Sequence, residues 1–530
     1  MPAESIPVVD LFAGPGGLGE GFSALASARG SRQFRIALSI EMEEWAHRTL
    51  ELRSFFRQFP VGKVPHDYYD HLRGQLGRLE LFARYPAEAK AAGDEAWKAE
   101  LGVVQASEVD RRIRNALGRA DSWVLCGGPP CQAFSVVGRS RNGGIAEDDD
   151  RVYLYKQYLR ILSVHEPPVF IMENVKGLLS SEVKGNEIFD QMLDDLHHPA
   201  KVIRGAQRGG AKYTLRSLCL KYPTHSLDGH PHYKPGDFVI KCEEYGIPQA
   251  RHRVIILGIR EDLSFDGFVA LRPHNQPIPA SKVLRGLPRL RSGLTRANDG
   301  REEWRAALAS ILDTGFMKSR RNGAEGELRE CIVRTVHNLR DMQANRGSEF
   351  VAHNTTCEYE PGWFLDPLIG GACNHASRPH MAADLHRYLF AACFARVHFR
   401  SPELNDFPPE LHPRHRSLGD ALSKGYFDDR FRVQIAFRPA TTITSHIAKD
   451  GHYFIHYDET QCRSLTVREA ARIQTFPDNY YFCGPRTHQY RQVGNAVPPL
   501  LARQIAAIVL EILKGRSEGA SARYTGGAAV

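Results

Sequence analysis

The sequence has few of the features that mark exported, membrane-spanning or metal-binding proteins. Its 530 residues contain ten cysteines and no C-x-x-C pair, which argues against a zinc ribbon or a disulfide scaffold. No uninterrupted apolar run approaches 18 residues, and the first residues lack the basic and apolar regions of a signal peptide. We therefore expect reduced thiols, no metal, no membrane contact and a cytoplasmic location.

Charge of one sign is not in strong excess either. Lysine and arginine number 69 against 61 acidic residues, a net charge of +8. Such a balance fits a polyanionic partner without establishing one, because the same charge can belong to a solvated surface. The hydrophobic content of 42% is ordinary for a globular protein, and the length allows two or three domains.

Short apolar runs alternate with helical stretches through the first 272 residues. This alternation favours an α/β fold, a doubly wound sheet with helices on both faces. The runs that suit a buried parallel sheet are 6–12, 35–40, 123–126, 169–172 and 254–257, and helical spacing is found at 18–28, from Glu43, at 153–164 and at 186–196. Residues 52–102 are helical and highly charged, and are predicted to be an insertion between strands, either a docking surface or an elaborated face.

The alternation ends near residue 273. An arginine-rich segment at 281–350 and an irregular part rich in proline, histidine and aromatics predict a second domain over 273–462. Helix-forming sequence returns at 466–473 and 499–513, so 463–514 is expected to complete the first domain. The small, polar tail at 515–530 is predicted to be disordered.

The segment DLFAGPGGLGEGF, Asp10 to Phe22, places glycines at a strand-to-helix turn, where backbone amides can approach a ligand. Gly14, Gly16 and Gly19 form a G-x-G-x-x-G pattern, and Glu41 follows at the end of the next strand. This pattern suits NAD, FAD or S-adenosylmethionine, since each carries an adenosine ribose that an acid can hold. A structural glycine turn without a ligand is the alternative.

The segment GGPPCQAFS, Gly127 to Ser135, places a cysteine just after a buried strand and two prolines. Ligands of open α/β sheets bind outside the carboxyl ends of the strands, and proline stiffens the approach. Cys131 is therefore predicted to be a nucleophile rather than a core residue. A thiol of pKa about 8.5 is mostly protonated at neutral pH, so this role requires cations nearby.

Six segments in series resemble the ordered blocks of the DNA (cytosine-5) methyltransferase family, bacterial type and S-adenosylmethionine-dependent. They are DLFAGPGGLGEGF (10–22), PPCQAFS (129–135), ENV (173–175), QARHR (249–253), SLTVREAARIQTFPD (464–478) and QVGNAVPP (492–499). The resemblance implies a Rossmann-like class I methyltransferase sheet, formed by 1–272 and 463–514, with a separate, smaller target-recognition domain. The insertion and the arginine-rich domain match none of the blocks.

The resemblance also implies the roles of the catalytic residues. Cys131 would add to C6 of cytosine and activate C5, and Glu173 would contact N3 and the exocyclic amine. Of Arg251 and Arg253, one would bind the base and orient Glu173, and both would add positive potential near Cys131. A surface basic pair is the alternative, more plausible for Arg253 than for Arg251. The base that removes the C5 proton cannot be read from the sequence.

The implied cofactor is S-adenosyl-L-methionine, with S-adenosyl-L-homocysteine as product. Glu41 is expected to hold the ribose hydroxyls and Met42 to pack on adenine, while Glu108, with Asp110 as second choice, would read the adenine. The remaining expected contacts are Phe12, Ala13, Gly14, Gly16, Gly17 and Leu18 in the loop, and Asn495 and Val497 in the returning C-terminal block.

The implied partner is double-stranded DNA, from which the target cytosine is flipped. A glycine-rich loop after Cys131 is expected to close over the substrate, with Gln132, Ser135, Arg139 and Arg141 as DNA contacts; a plain surface loop is the alternative. The segment 441–456 is expected to close the recognition domain and to offer polar groove contacts. Family resemblance suggests a restriction-modification or phage-defence setting, with the protein near the nucleoid.

Two other functions stay open at this point. A tRNA cytosine-C5 methyltransferase shares the blocks, but its variable region is normally small, so the large second domain favours duplex DNA. A catalytically inactive DNA-binding homologue is disfavoured by the intact PPC, ENV and R-x-R segments.

Overall fold

A computed structural model describes most of the chain. The described residues are 5–27, 30–130, 150–180, 182–183, 186–203, 210–220, 224–225, 231–263, 265, 270–295, 298–319, 323–339, 345–413 and 429–524. Cys131 and the predicted DNA contacts Gln132, Ser135, Arg139 and Arg141 lie outside these ranges. Their roles therefore stay predictions.

An eight-stranded sheet forms the centre of the described structure. Its strands are β1 (Ile6–Leu11), β2 (Phe34–Glu41), β3 (Ala96–Lys98), β4 (Val124–Gly127), β5 (Val169–Val175), β6 (Tyr213–Ser217), β7 (Val239–Lys241) and β8 (His252–Arg260). Five parallel strands run in the order β3-β2-β1-β4-β5. The order reverses direction between β1 and β4, where ligands of such sheets bind.

The sheet confirms the predicted α/β fold but not the orientation of every strand. β8 lies antiparallel to β5, and β6 and β7 both pair antiparallel with the outer edge of β8. The prediction of a parallel strand at 254–257 was therefore wrong. Its apolar run shows only that both faces are buried, which holds equally for an antiparallel strand that lies inside the sheet.

Side chains alternate between two packed layers along each strand. Val8 and Ile255 belong to one buried cluster, with the first and last helices, whereas Val9 and Ile256 belong to the cluster on the opposite face. Successive residues of a strand point to opposite faces, so continuous apolar runs are needed to bury both. This gives the three-layer arrangement with helices on both sides of the sheet.

Eighteen α-helices lie within the described residues. They are α1 (Gly17–Ser23), α2 (Glu44–Arg57), α3 (His66–Leu72), α4 (Arg78–Arg84), α5 (Pro86–Glu95), α6 (Ala106–Leu117), α7 (Asp150–His165), α8 (Ile188–His197), α9 (Pro199–Val202), α10 (Ser281–Leu284), α11 (Arg301–Ala309), α12 (Gly315–Lys318), α13 (Ala324–Asn338), α14 (Pro361–Phe364), α15 (Ala382–His398), α16 (Val467–Ile473), α17 (Arg486–Asn495) and α18 (Pro499–Tyr524). Short strand pairs join Glu182–Val183 to Asn186–Glu187, Thr224–His225 to Pro231–His232, Gln249–Ala250 to Ala440–Thr441, Gly293–Leu294 to Pro379–His380, and Gly347–Ala352 to Gly371–Ala376.

Several helix ends differ from the predictions. The first helix stops at Ser23 instead of 28. The last helix continues to Tyr524, so the prediction of disorder from 515 was wrong for 515–524, and 525–530 lie outside the described residues. Small and polar residues lower helix propensity, but a helix that is already nucleated can extend through them.

The insertion at 52–102 contains α3, α4 and α5 and ends in β3, which pairs with β2 in the main sheet. Its buried side chains, such as Phe55 and Tyr69, form one cluster with Ile369, Cys373 and Cys483 from later parts of the chain. The helical prediction is confirmed, but the last residues belong to the sheet itself. A three-residue strand carries no periodic signal, so the sequence could not reveal it.

A further buried cluster lies within the predicted second domain and includes Trp304, Ile332 and Leu389. The limits predicted for the second domain, residues 273 and 462, stay a prediction, because some residues between them pack outside this cluster. Ile443 and Phe454 are buried in the cluster of the main sheet. The segment 441–456 is thus anchored in the core at these positions, while Ser445, His446 and Lys449 are exposed. Its expected groove contacts stay a prediction.

One helical stretch among the described residues, Arg486–Gly515, has the length and apolar composition of a membrane span, and 67% of its apolar 18-residue window is buried inside the protein. α18, whose first part lies in this stretch, packs on α1. The nine cysteines of the described part are all free, and eight are buried. In the same residues no group of three or more histidines, cysteines or acids is placed to hold a metal.

Candidate active site

The glycine loop after β1 adopts a backbone that few side chains tolerate. Gly14 has φ +56° and Gly16 has φ +94°, both in the left-handed region that glycine enters freely. Phe12 also has a positive φ, +55°, which is strained for a residue with a side chain. The loop leads directly into α1, so its amides lie at the reversal point of the strand order. This is the predicted geometry.

Glu41 ends β2 beside this loop. Its Oε2 accepts the Gly14 amide at 2.8 Å and its Oε1 accepts the Glu43 amide at 2.7 Å. Burial raises the pKa of Glu41, opposed by these amides. Met42 is 53% exposed next to it. A fixed carboxylate with an open apolar neighbour fits a ribose and an adenine, so these residues fit the expected cofactor.

The C-terminal block returns to the glycine loop. A Cβ on Gly17 would overlap the carbonyl oxygen of Val497 and lie 3.2 Å from its nitrogen, so only glycine permits this contact. Val497 is buried, whereas Asn495, the last residue of α17, is exposed. The structure therefore brings Val497 to the loop, as the sequence predicted.

Tyr480 was missed by the sequence reasoning. Its hydroxyl donates to the carbonyl oxygen of Pro15 inside the glycine loop. The ring is fully buried, and Arg53 lies over it at 4.9 Å from the centroid. A tyrosine far away in sequence carries no signal of such a contact, although it lies directly after the block that ends at Asp478.

The predicted adenine-reading acids are engaged elsewhere. Glu108 forms ion pairs with Arg111 at 2.7 Å and Arg112 at 3.3 Å on its own helix. Asp110 pairs with Arg160 and with His165, each at 2.9 Å. The structure therefore does not support their choice.

Glu100 is better placed, because it follows β3 at the edge of the sheet where Glu41 ends β2. The amide of Ala99 donates to the backbone oxygen of Glu41 at 3.1 Å, and Glu100 is exposed. The rule that selected Glu41, an acid just after a strand, would have selected Glu100 had β3 been recognised.

Glu173 and Arg253 meet at the carboxyl end of β5. Glu173 lies near the end of that strand, and the Nε of Arg253 on β8 lies 2.9 Å from its Oε1. Both side chains are 13% exposed. A Cβ on Gly128 would lie 2.9 Å from Oε2 of Glu173. The described start of the PPC segment therefore rests against this ion pair, three residues before Cys131.

Arg251 has a different environment. It is 1% exposed, and its guanidinium donates to the carbonyl oxygens of Ile443 at 2.8 Å and Gly494 at 3.2 Å. Burial lowers its pKa, and the nearby Arg253 adds to this. From the sequence, a surface position was more plausible for Arg253 than for Arg251, but it is Arg253 that contacts Glu173. That preference was wrong, because i, i+2 spacing does not show which arginine reaches the carboxylate.

The block SLTVREAARIQTFPD is buried and is held by ion pairs and hydrogen bonds. Every residue of α16 is buried, and Arg472 pairs with Asp478 at 2.6 Å while Arg463 pairs with Glu469 at 2.7 Å. Arg472 also donates to the carbonyl oxygens of Val283 and Thr356, both at 2.9 Å. These bonds join the C-terminal block to the chain after the sheet.

The sequence also resembles those of known proteins over most of its length. A family model described as C-5 cytosine-specific DNA methylase matches residues 96–199 and 230–511. The matched ranges include the positions of Cys131, Glu173, Arg253 and Asn495.

Named relatives cover nearly the whole chain. Type II methyltransferase M.Bpa9945I of Bacillus paralicheniformis is 31% identical, over 96% of this chain and 99% of its own. Type II methyltransferase M.DdeI of Desulfomicrobium norvegicum is 25% identical over 94% and 87%. DNA (cytosine-5-)-methyltransferase M.ApeKI of Aeropyrum pernix is 25% identical over 80% and 89%.

A solved structure has the same fold. It is described as a DNA modification methyltransferase encoded within a prophage (E. coli), and it aligns with a TM-score of 0.50 at 18% identity, over 96% of this chain and all of its own. At this identity the likeness concerns the fold alone.

Proposed function

This chain belongs to the C-5 cytosine-specific DNA methylase family and is a DNA (cytosine-5-)-methyltransferase, and from that premise we propose its site and mechanism. It transfers a methyl group from S-adenosylmethionine to C5 of a flipped-out cytosine in a specific duplex sequence. The observation that carries the proposal is the Glu173–Arg253 ion pair beside Gly128. It sets an acid and a cation at the strand ends from which the PPC segment departs.

The first step is nucleophilic addition. The Cys131 thiolate forms a bond to C6 of cytosine, and the ring electrons move toward C5. Glu173 holds a proton or hydrogen bond at N3, which accepts the charge that addition places on the ring. Arg253 keeps the Glu173 carboxylate in position through the 2.9 Å contact. C5 would then take the methyl group that bound S-adenosylmethionine supplies. A base removes the C5 proton, and the electrons of that C–H bond re-form the ring double bond and expel the sulfur from C6.

The cofactor site is built by three elements. Glu41 holds the ribose hydroxyls, Met42 and Glu100 border the adenine, and Val497 closes the loop from behind. The remaining contacts that we propose are Phe12, Ala13, Gly14, Gly16, Gly17, Leu18 and Asn495. When bound, S-adenosylmethionine supplies the electrophilic methyl group.

The DNA substrate requires base extrusion, which costs a few kcal/mol that phosphate contacts offset. Gln132, Ser135, Arg139 and Arg141 are proposed to contact the DNA, and the chain over 273–462 to read the sequence. The names of the relatives favour a restriction-modification or phage-defence setting, and the substrate places the enzyme at the nucleoid.

Covalent trapping tests the proposal. Long duplex DNA in which 5-fluorocytosine replaces cytosine would contain any short recognition sequence. With cofactor present, the wild-type protein is expected to form a complex that survives denaturing electrophoresis, because fluorine cannot leave C5 as a proton does. Cys131→Ala is expected to form none while binding the duplex normally. A wild-type protein that is not trapped would falsify the mechanism.

A second experiment identifies the substrate. Labelled cofactor is offered with genomic duplex DNA and with tRNA, followed by bisulfite sequencing of DNA from cells that express the protein. Label in DNA and a methylated consensus are expected. Label only in tRNA would overturn the duplex assignment, and equal inactivity of wild type and Cys131→Ala would indicate a binding protein.

A further inference from the structure

A cavity of about 700 Å³ lies beside the amino-terminal half of β2, between α5 and α6. β3 pairs only with Ser39–Glu41, so Phe34–Leu38 have no strand on that side in the described sheet. A strand rises about 3.3 Å per residue, so the lining residues 34–38 lie about 10 to 23 Å from Glu41 along β2. The cavity is therefore separate from the cofactor site.

Guanidinium groups dominate the polar lining. Five arginines line the cavity, with one aspartate and one glutamate. They are Arg32, Arg35, Arg57, Arg111 and Arg112, with Asp94 and Glu95. A solvated surface normally mixes both signs, so a concave wall with this excess attracts anions.

Within the described part of the chain, the hydrogen bonds of two of these arginines go to backbone oxygens only. Arg32 donates to the carbonyl oxygen of Arg57, and Arg35 donates to that of Ala116 at 3.3 Å. Among the ion pairs of the described residues, neither is joined to a carboxylate. Their charges are therefore not balanced by acids in direct contact.

The other three arginines share their acids. Arg57, which is more than nine-tenths buried, pairs with Glu95 at 2.6 Å and more distantly with Glu20 at 3.6 Å. Arg111 and Arg112 both pair with Glu108. Burial lowers the pKa of Arg32, and repulsion from Arg57 and Arg53 lowers it further, against the attraction of Glu20 and Glu95. An anion in the cavity would relieve this repulsion.

We propose that this cavity binds a small inorganic oligophosphate anion such as pyrophosphate. Arginine is suited to it, because its planar fork donates two hydrogen bonds to phosphate oxygens and stays charged. The volume lies within the range of small-molecule sites. A carboxylate ligand is disfavoured, since it would bring less negative charge to Arg32 and Arg35, which are not in an ion pair within the described ranges, and to the three arginines that are.

Calorimetric titration of the full chain with sodium pyrophosphate tests this site. We expect saturable binding, while sodium sulfate at equal ionic strength gives no comparable heat. Arg35→Gln is expected to raise the Kd at least tenfold, and Arg32→Gln likewise. The matched control is Arg114→Gln, an exposed arginine of α6 that does not line the cavity and should keep wild-type affinity.

Four outcomes would overturn the proposal. They are no saturable heat in the wild type, equal weakening in Arg114→Gln, displacement by S-adenosylhomocysteine, and displacement by duplex DNA whose own affinity also falls in Arg35→Gln. The third would place pyrophosphate in the cofactor site and the fourth would make the arginines a DNA contact. Because Arg32 is partly buried, circular dichroism of each variant separates loss of binding from loss of fold. If Arg32→Gln does not fold, the affinity of Arg35→Gln for pyrophosphate tests the proposal by itself.

Discussion

Arg251 and Arg253 are two residues apart but contact different parts of the protein, so their replacement should have different effects. Arg253→Gln removes the cation beside Glu173, and we expect kcat to fall on the order of 100-fold as the acid loses its position. Arg251→Gln leaves two buried carbonyl oxygens without donors, at a cost of about 2–4 kcal/mol in the free energy of unfolding. Single-turnover methylation and urea unfolding of both variants measure the difference.

Arg253→Lys serves as the control, since it keeps the charge but loses the fork and should recover part of the rate. If both glutamine variants lost stability equally and kept the same rate, the assignment of the two arginines would be wrong.

Tyr480 and Tyr490 offer a matched pair at the same scale. Both are fully buried, and both donate a hydroxyl to a carbonyl oxygen, Tyr480 to Pro15 and Tyr490 to Leu465. Each change to phenylalanine should cost about 1 kcal/mol in stability. Only Tyr480→Phe should weaken cofactor binding, about three- to tenfold, because only its partner lies in the glycine loop. Equal Kd values for S-adenosylhomocysteine in both variants, by calorimetry, would refute this.

At the scale of elements, the contact between α1 and α18 depends on one glycine. A Cβ on Gly21 would overlap Ala502 and the carbonyl oxygen of Pro499. Gly21→Ala should therefore push the two helices apart and lower the free energy of unfolding by about 1–3 kcal/mol, as overpacking does. Gly77→Ala is the control, since its φ of −70° suits alanine and no other atom lies within 4 Å. A neutral Gly21→Ala in urea unfolding would contradict the close packing.

The insertion is the element whose position was hardest to foresee. Its helices follow from charge and periodicity, yet their buried side chains pack against Ile369 and Cys483, which are hundreds of residues later. The sequence offers no local signal for such contacts. One side of the insertion is thus buried against the rest of the protein. Only its other side could serve as a docking surface for a partner.

For the whole molecule, three buried histidines predict sensitivity to acid. Burial lowers the pKa of His375 to about 4, of His380 to about 3 and of His456 to about 4. The unfolded chain binds protons at these positions below about pH 6.5, whereas the folded protein does not. Stability should therefore be full above pH 6.5 and fall as the pH drops toward 4, by about 1.4 kcal/mol per pH unit for each histidine.

Asp10 opposes this trend. Burial raises its pKa to about 7, so its contribution to stability falls as the pH rises from about 4 to 7. Burial also raises the pKa of Asp195, to about 6, and of Glu41. These acids are outnumbered, because burial lowers the pKa of five further histidines, His71, His165, His198, His386 and His452. Urea unfolding at pH 7.5, 6.0 and 5.0 should show decreasing stability, with a shallower decrease in His380→Asn than in His446→Asn, whose side chain is exposed. Equal stability at pH 7.5 and 5.0 would rule the histidines out.

The local sequence determined the class of fold, the glycine loop, the end of β2 at Glu41 and the order of the family blocks. Each of these is written in neighbouring residues: apolar runs for buried strands, glycine for a backbone with positive φ, and an acid directly after a strand. That is why Gly14 and Glu41 were found from pattern alone, and why the extent of the last helix, which depends on no such pattern, was not.

Only the tertiary structure decided which residues meet. It separated Arg253, which contacts Glu173, from Arg251, which donates to the carbonyl oxygens of Ile443 and Gly494. It also placed Glu100, rather than Glu108, at the edge where Glu41 ends β2. Such contacts depend on the direction and register of strands that are distant in sequence. The residues of β8 alone would show the same apolar pattern whether the strand were parallel or antiparallel. The physical reason is that burial is a property of one segment, whereas a contact is a property of two.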